Sequence, residues 1–127
     1  MTVRDTMSRE VLTVGPEHTL REVSKAMRAR RVGAAVVVDP EGEGAGILTE
    51  RDVLIALAEG ADPDVETVPK HLTPEIVYAS PDWSLEQAAE AMLRGGFRHL
   101  VVLDESGVAG ILSVRDIVGQ WHAERVG

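Results

Sequence analysis

The sequence predicts an α/β fold built from one unit used twice, and three observations carry that prediction. The chain repeats. A shift of 65 positions lays Thr2-Val3 on Thr67-Val68, Val11 on Ile76, Pro16 on Pro81, Leu20 on Leu85, Ala26-Met27 on Ala91-Met92 and Asp39 on Asp104. Apolar runs of strand length, rich in β-branched residues (32–38 and 97–103), alternate with stretches whose apolar residues recur at helical spacing. Finally, the stretch Gly46-Ile47-Leu48-Thr49-Glu50-Arg51-Asp52 returns as Gly110-Ile111-Leu112-Ser113-Val114-Arg115-Asp116, each time between an apolar run and a helical pattern. By this point the offset has fallen to 64. The first half carries one extra residue in its Gly-rich turn, where a duplicated unit best tolerates a change of length. The expected division is 1–64 for the first repeat and 65–127 for the second. Two copies are too few for a solenoid, so the repeats are expected to pack on each other.

Each element has a local reason. Thr2 to Ser8 reads as a lead-in with one helical turn, and Val11 to Val14 as extended chain ended by Gly15-Pro16. Thr19 can cap a helix from Leu20 to Arg30, with Leu20, Val23, Ala26 and Met27 on one face. Val32 to Val38 is a strand, 39–44 a hairpin loop and Ala45 to Leu48 the returning strand. Thr49 then caps a helix that runs to about Glu59 and stops at Gly60. After the link around Asp62-Pro63-Asp64 the plan recurs, with a lead-in at Val68–Leu72 and extended chain at Ile76–Ala79. A helix from Ser84 follows, with Leu85, Ala88, Ala89 and Met92 inward, and Gly95-Gly96 ends it. Phe97 to Leu103 and Val108 to Leu112 are the strands, and Ser113 caps a last helix to about Glu124.

Composition narrows the function. With 44% hydrophobic and 27% charged residues the chain is an ordinary globular one. A net charge of -8 argues against a nucleic-acid backbone or an anionic membrane as partner, and 3% aromatics argue against stacking on single strands. The absence of cysteine excludes disulfides and thiolate chemistry. No apolar run is long enough to span a membrane and no signal peptide is evident, so the expected location is the cytoplasm. His18, His71, His99 and His122 are scattered without metal-ligand spacing, and there is neither a Gly-x-Ser-x-Gly elbow nor a P-loop. These observations point away from catalysis.

The duplicated stretch admits two readings. Thr49 and Ser113 are good N-cap residues, and an acid three positions on makes a near capping box. Caps are duplicated whenever a fold is. The functional reading is that a helix N-terminus offers free N–H groups to an anion, which the hydroxyl and the Arg can join, while a carboxylate one turn in suits a ribose diol. Arg51 and Arg115 sit where the helix dipole mildly disfavours a cation, which tilts weakly toward function.

The lead-in Val3-Arg4-Asp5-Thr6-Met7, Pro16 and Pro81, the strands Val32–Asp39 and Arg98–Asp104, and the two Gly-Ile-Leu-(Thr/Ser)-x-Arg-Asp stretches together resemble the tandem CBS-domain family, from about Thr2 to Val118. The resemblance implies two β-α-β-β-α repeats packed through a pseudo-two-fold axis, with two clefts between them. It implies a regulatory sensor that binds AMP, ADP, ATP, S-adenosylmethionine or an NAD-type ligand in those clefts, and not an enzyme. It further implies that Thr49 and Ser113 contact phosphate, that Asp52 and Asp116 hold the ribose, and that Ile47 and Ile111 line the base. Val32, Gly33 and Ala34 would flank one cleft, and Val11 and Ile76 would form apolar walls. Phe97, Arg51 and Arg115 complete the candidate set.

Arg98 and His99 align with the uncharged Gly33 and Ala34. In the family, basic residues at this position reach a phosphate held by the other repeat, so the Asp52 cleft is expected to be the stronger anion site. The plainer readings are a surface ion pair for Arg98, a structural histidine for His99 and close packing for Gly33 and Ala34. Two other functions stay open: a structural oligomerisation module with empty clefts, and a nucleotide-processing enzyme. Helices carrying Met27, Ala29, Ala56, Ala91 and Leu93 are short and Ala-rich, which suits helix–helix contact and predicts a homodimer. No effector domain is evident, so any output is expected to pass through a separate, unidentified effector protein.

Overall fold

The structure is a computed structural model that describes residues 1–42 and 44–126. Its elements run α1 (Val3–Thr6), β1 (Thr13–Val14), α2 (Leu20–Arg30), β2 (Ala34–Val38), β3 (Ala45–Thr49) and α3 (Glu50–Ala58). A 3-10 turn at Val68–His71 follows, then β4 (Tyr78–Ala79), α4 (Leu85–Gly95), β5 (His99–Asp104), β6 (Gly107–Ser113) and α5 (Val114–Val126). The strands form two three-stranded sheets, ordered β1-β2-β3 and β4-β5-β6, and in each the first pair is parallel and the second antiparallel. The fold class is α/β, with the β-α-β-β-α order present twice.

The expected elements form for local reasons. Thr19 and Ser84 cap α2 and α4 through reciprocal boxes with Glu22 and Gln87. Each helix ends on a left-handed residue, Arg31 (φ 57°) in the first repeat and Gly96 (φ 71°) in the second. The Val32 and Phe97 amides then turn back to the Met27 and Met92 carbonyls, both at 3.0 Å. That closure is why β2 and β5 start two residues later than the apolar runs do. The Asp39 and Asp104 carboxylates accept from the Glu41 and Ser106 amides and fold the hairpin turns. Glu43, at the tip of the expected loop 39–44, lies outside the described residues.

The chain divides into two compact units, Leu12–Glu75 and a composite of Met1–Val11 with Ile76–Gly127. The boundary expected at residue 64 follows the sequence repeat, whereas each compact unit contains the lead-in of the other repeat. In the Leu12–Glu75 unit the segment after residue 64 docks on its own sheet and helix. The Val68 amide donates to His18 O (3.1 Å), Leu20 donates to Glu66 O (3.0 Å) and Thr73 donates to Ile47 O (2.9 Å). Val68 is fully buried in a core with Leu12, Leu20, Val23, Met27, Ala35, Val37, Leu48 and Ala56. In the composite unit Val3 takes the matching place beside Ala79, Ala88, Met92, Leu100, Val102 and Leu112. Ser8 and Ile111 there exchange both backbone bonds, at 2.9 and 3.0 Å.

The leading glycine of each Gly-Ile-Leu stretch permits this docking. A Cβ on Gly46 would lie 2.6 Å from Leu72 Cδ1, and one on Gly110 would lie 2.6 Å from the Ser8 carbonyl oxygen. Leu72 and Met7 are counterparts in the repeat, and Met7 Sδ stands 2.9 Å from the same Gly110 position.

Candidate functional site

The site residues expected from sequence fall into one group per unit. In the Leu12–Glu75 unit, β2 and β3 pair Ala34 with Thr49 and Val36 with Ile47, and the Glu50 amide donates to Gly33 O at 3.0 Å. Gly33, Ala34, Thr49, Arg51 and Asp52 therefore meet at one strand-to-helix junction. In the composite unit His99 pairs with Ser113, Val101 pairs with Ile111, and the Val114 amide donates to Arg98 O at 2.8 Å. Arg98, His99, Ser113, Arg115 and Asp116 meet in the same way. Ile47 is buried and Ile111 half-buried, and Arg51, Arg98 and Arg115 are exposed. Val32 and Phe97 pack against the cores of their own units. Val11 and Ile76 are half-buried, and both belong to the composite unit.

Helix capping orders both junctions. Four N–H groups at a helix start lack intrahelical partners. In α3 the Thr49 amide donates to Asp52 Oδ2 (2.8 Å), Glu50 to Gly33 O and Asp52 to Thr49 Oγ1 (3.2 Å). In α5 the Ser113 amide donates to Asp116 Oδ2 (2.8 Å), Val114 to Arg98 O and Asp116 to Ser113 Oγ (3.1 Å). Among the described residues this leaves the Arg51 and Arg115 amides as the uncommitted donors. The capping reading is therefore correct as local structure, and each junction still offers an anion one backbone donor beside an exposed guanidinium.

The junctions differ at one residue that the sequence reading did not single out. Thr73 donates its hydroxyl to Asp52 Oδ2, which also accepts from the Thr49 hydroxyl at 2.9 Å. Asp52 is only 8% exposed. Thr73 lies 21 residues from Asp52. The available signal was a hydroxyl kept at the same repeat position, since Thr73 aligns with Ser8.

Carboxylates elsewhere in the Leu12–Glu75 unit titrate below their ordinary range for visible reasons. Hydrogen bonding from His71 lowers Glu66, that from Arg21 lowers Asp64, and the Thr19 backbone amide lowers Glu22. Among the described residues no group of three or more His, Cys, Asp or Glu could hold a metal ion, and no helix is long and apolar enough to cross a membrane.

Two sheets of matching order, each ending in a capped strand-to-helix junction, define a class of duplicated α/β domain. The CBS-domain model matches residues 3–59 and 65–122, and the chain belongs to that family. It is 35% identical to the CBS domain-containing protein YhcV of Bacillus subtilis, over 98% of this chain and 89% of that protein. The crystal structure of the CBS-domain containing protein ATU1752 from Agrobacterium tumefaciens is similar at a TM-score of 0.85 and 34% identity, covering 94% of this chain and 98% of that one. The CBS domain protein PAE2072 from Pyrobaculum aerophilum, complexed with AMP, is similar at a TM-score of 0.82 and 28% identity, covering 91% of this chain and 89% of that one.

Proposed function

We propose that this chain is a regulatory module that binds an adenosine nucleotide at its strand-to-helix junctions and acts through a separate effector protein, without catalysing a reaction. The observation that carries the reading is the junction built twice from the same parts: an N-cap hydroxyl, a carboxylate at the third helical position, one uncommitted amide and an exposed Arg. The amide and guanidinium suit a phosphate, and the carboxylate suits a ribose diol. The AMP complex of PAE2072 supports AMP as the first candidate; ADP, ATP and S-adenosylmethionine share the adenosine that the junction would hold.

A thermal-shift panel of AMP, ADP, ATP, S-adenosylmethionine, NADH and cyclic dinucleotides, with GMP as control, tests the reading. A ligand at 100 times its Kd adds about 2.7 kcal/mol, a midpoint rise of roughly 10 °C for a domain of this size. An adenosine-selective rise without product formation supports a sensor. A flat panel would leave the junctions as helix caps and favour the structural module.

We also propose a homodimer. Within the helices expected to make the contact, Met27 and Ala56 belong to the core of the Leu12–Glu75 unit and Ala91 packs against the core of the composite unit, while Ala29 and Leu93 are exposed. Among the described residues, exposed apolar side chains on the helices also include Leu54, Ile55 and Leu57 on α3 and Val114, Val118, Trp121 and Val126 on α5. Apolar surface grouped on helices suits an isologous contact, and a monomer mass by light scattering would exclude it.

A further inference from the structure

The two junctions share a cap and differ in the valences left for a ligand. Asp52 Oδ2 accepts three hydrogen bonds, from the Thr49 amide, the Thr49 hydroxyl and the Thr73 hydroxyl. A carboxylate oxygen has two lone pairs, so three donors saturate it and leave Oδ1 for any ligand. The Thr49 hydroxyl is committed as well, since it donates to Asp52 Oδ2 and accepts from the Asp52 amide. A ribose diol that engages both oxygens of Asp52 must displace a donor already in place.

The other junction is open by the same accounting. Among the described residues Asp116 accepts one hydrogen bond, from the Ser113 amide. The Ser113 hydroxyl accepts from the Asp116 amide and keeps its own proton for a ligand oxygen. Ser8, the counterpart of Thr73, has its hydroxyl 3.5 Å from the Glu10 carbonyl oxygen and makes no bond to Asp116. Asp116 is half-buried, where Asp52 is buried.

We infer that Thr73 is an internal competitor for the ribose-binding carboxylate of Asp52, and that the Asp116 junction is the tighter site for a nucleotide with an intact cis-diol. This rests on the adenosine reading of the junctions and specifies how they are ranked. It reverses the ranking expected from Arg98 and His99. Thr73 acts as an affinity-setting residue without touching the ligand: its hydroxyl holds the acceptor that a sugar hydroxyl needs.

The test is an AMP titration followed by amide resonances, with Thr49 and Asp52 reporting one junction and Ser113 and Asp116 the other. In the unmodified chain the Ser113 and Asp116 amides should saturate at lower AMP, by roughly tenfold, the worth of one hydrogen bond to a charged group. Thr73→Val should tighten the Thr49 and Asp52 response by about the same factor and leave Ser113 and Asp116 unchanged. Thr73→Ser, which keeps the donor, should behave as the unmodified chain. Thr73→Ala provides the same readout should valine disturb the docked segment. Equal or tighter binding at Asp52 in the unmodified chain, or no gain in either hydroxyl-free variant, overturns the competitor while leaving a nucleotide-binding module. AMP binding at neither junction in any variant removes the functional reading and the inference with it.

Discussion

The Thr49–Asp52 and Ser113–Asp116 junctions are copies in sequence and in capping, yet one carboxylate holds three donors on Oδ2 and the other holds one. The difference comes from outside the motif. Thr73 and Ser8 sit at the ends of the two lead-ins, and each lead-in docks on the sheet of the other repeat. A duplicated motif fixes a helix start twice, while the segment packed against it decides what chemistry the start still offers. The helix ends vary in the same way, with Arg31 in a left-handed conformation where its counterpart is Gly96.

Substitution of the leading glycines disturbs the docking itself. Gly110→Ala would push a Cβ to 2.6 Å from the Ser8 carbonyl oxygen. That carbonyl is held by the Ile111 amide at 3.0 Å and cannot withdraw without breaking the pair. Gly46→Ala meets only the end of the Leu72 side chain, at 2.6 Å, which can rotate. Chemical denaturation should show a loss of about 3 kcal/mol for Gly110→Ala and about 1 kcal/mol for Gly46→Ala. Equal losses would mean that the two lead-ins dock with equal tolerance.

The next effect separates the carboxylates. Asp52→Ala removes a buried carboxylate and strands the hydroxyls of the half-buried Thr49 and Thr73, whereas Asp116→Ala removes a cap at a half-buried position. Denaturation midpoints should fall by an amount equivalent to about 2–3 kcal/mol for Asp52→Ala and about 1 kcal/mol for Asp116→Ala. The order should invert for ligand, with Asp116→Ala abolishing the tighter AMP response. If Asp116→Ala proves the more destabilising, the hydrogen-bond accounting that ranks the junctions is wrong.

The features legible in sequence were those set by neighbouring residues. The capping pairs Thr19–Glu22, Ser84–Gln87, Thr49–Asp52 and Ser113–Asp116 lie three residues apart and were readable as helix starts. The succession of strands and hairpins along the chain followed from apolar runs and Asp-led turns, and the family from the whole set in sequence. The exchange of lead-ins was not legible, because Gly46 against Leu72 and Gly110 against Ser8 are tertiary contacts with no local pattern. Nor was the hydroxyl of Thr73 on Asp52. Helical spacing placed Met27 on the apolar face that the core takes up, but spacing does not say which of the apolar positions left exposed, such as Leu93, meet a partner.

The two lead-ins also differ in how their fastening depends on pH. In the Leu12–Glu75 unit His71 Nε2 lies 2.7 Å from Glu66 Oε1, across the 3-10 turn that carries the docked segment. The counterparts of Glu66 and His71 in the other lead-in are Met1 and Thr6, which form no titrating pair. The His71 hydrogen bond lowers the Glu66 carboxyl from its ordinary value of 4.5. A carboxylate with a depressed folded value contributes stability that is fully present above its unfolded value and is lost as pH falls through the folded one. The unmodified chain should therefore lose urea stability as pH drops below about 4.5, and His71→Gln should flatten that part of the curve. The other lowered carboxyls, Asp5, Glu22 and Asp64, are common to both proteins, so the difference between the two curves isolates the pair. Superimposable curves would mean that the histidine does not hold this lead-in, and that the two lead-ins differ in the hydroxyl of Thr73 but not in how they are fastened by charge.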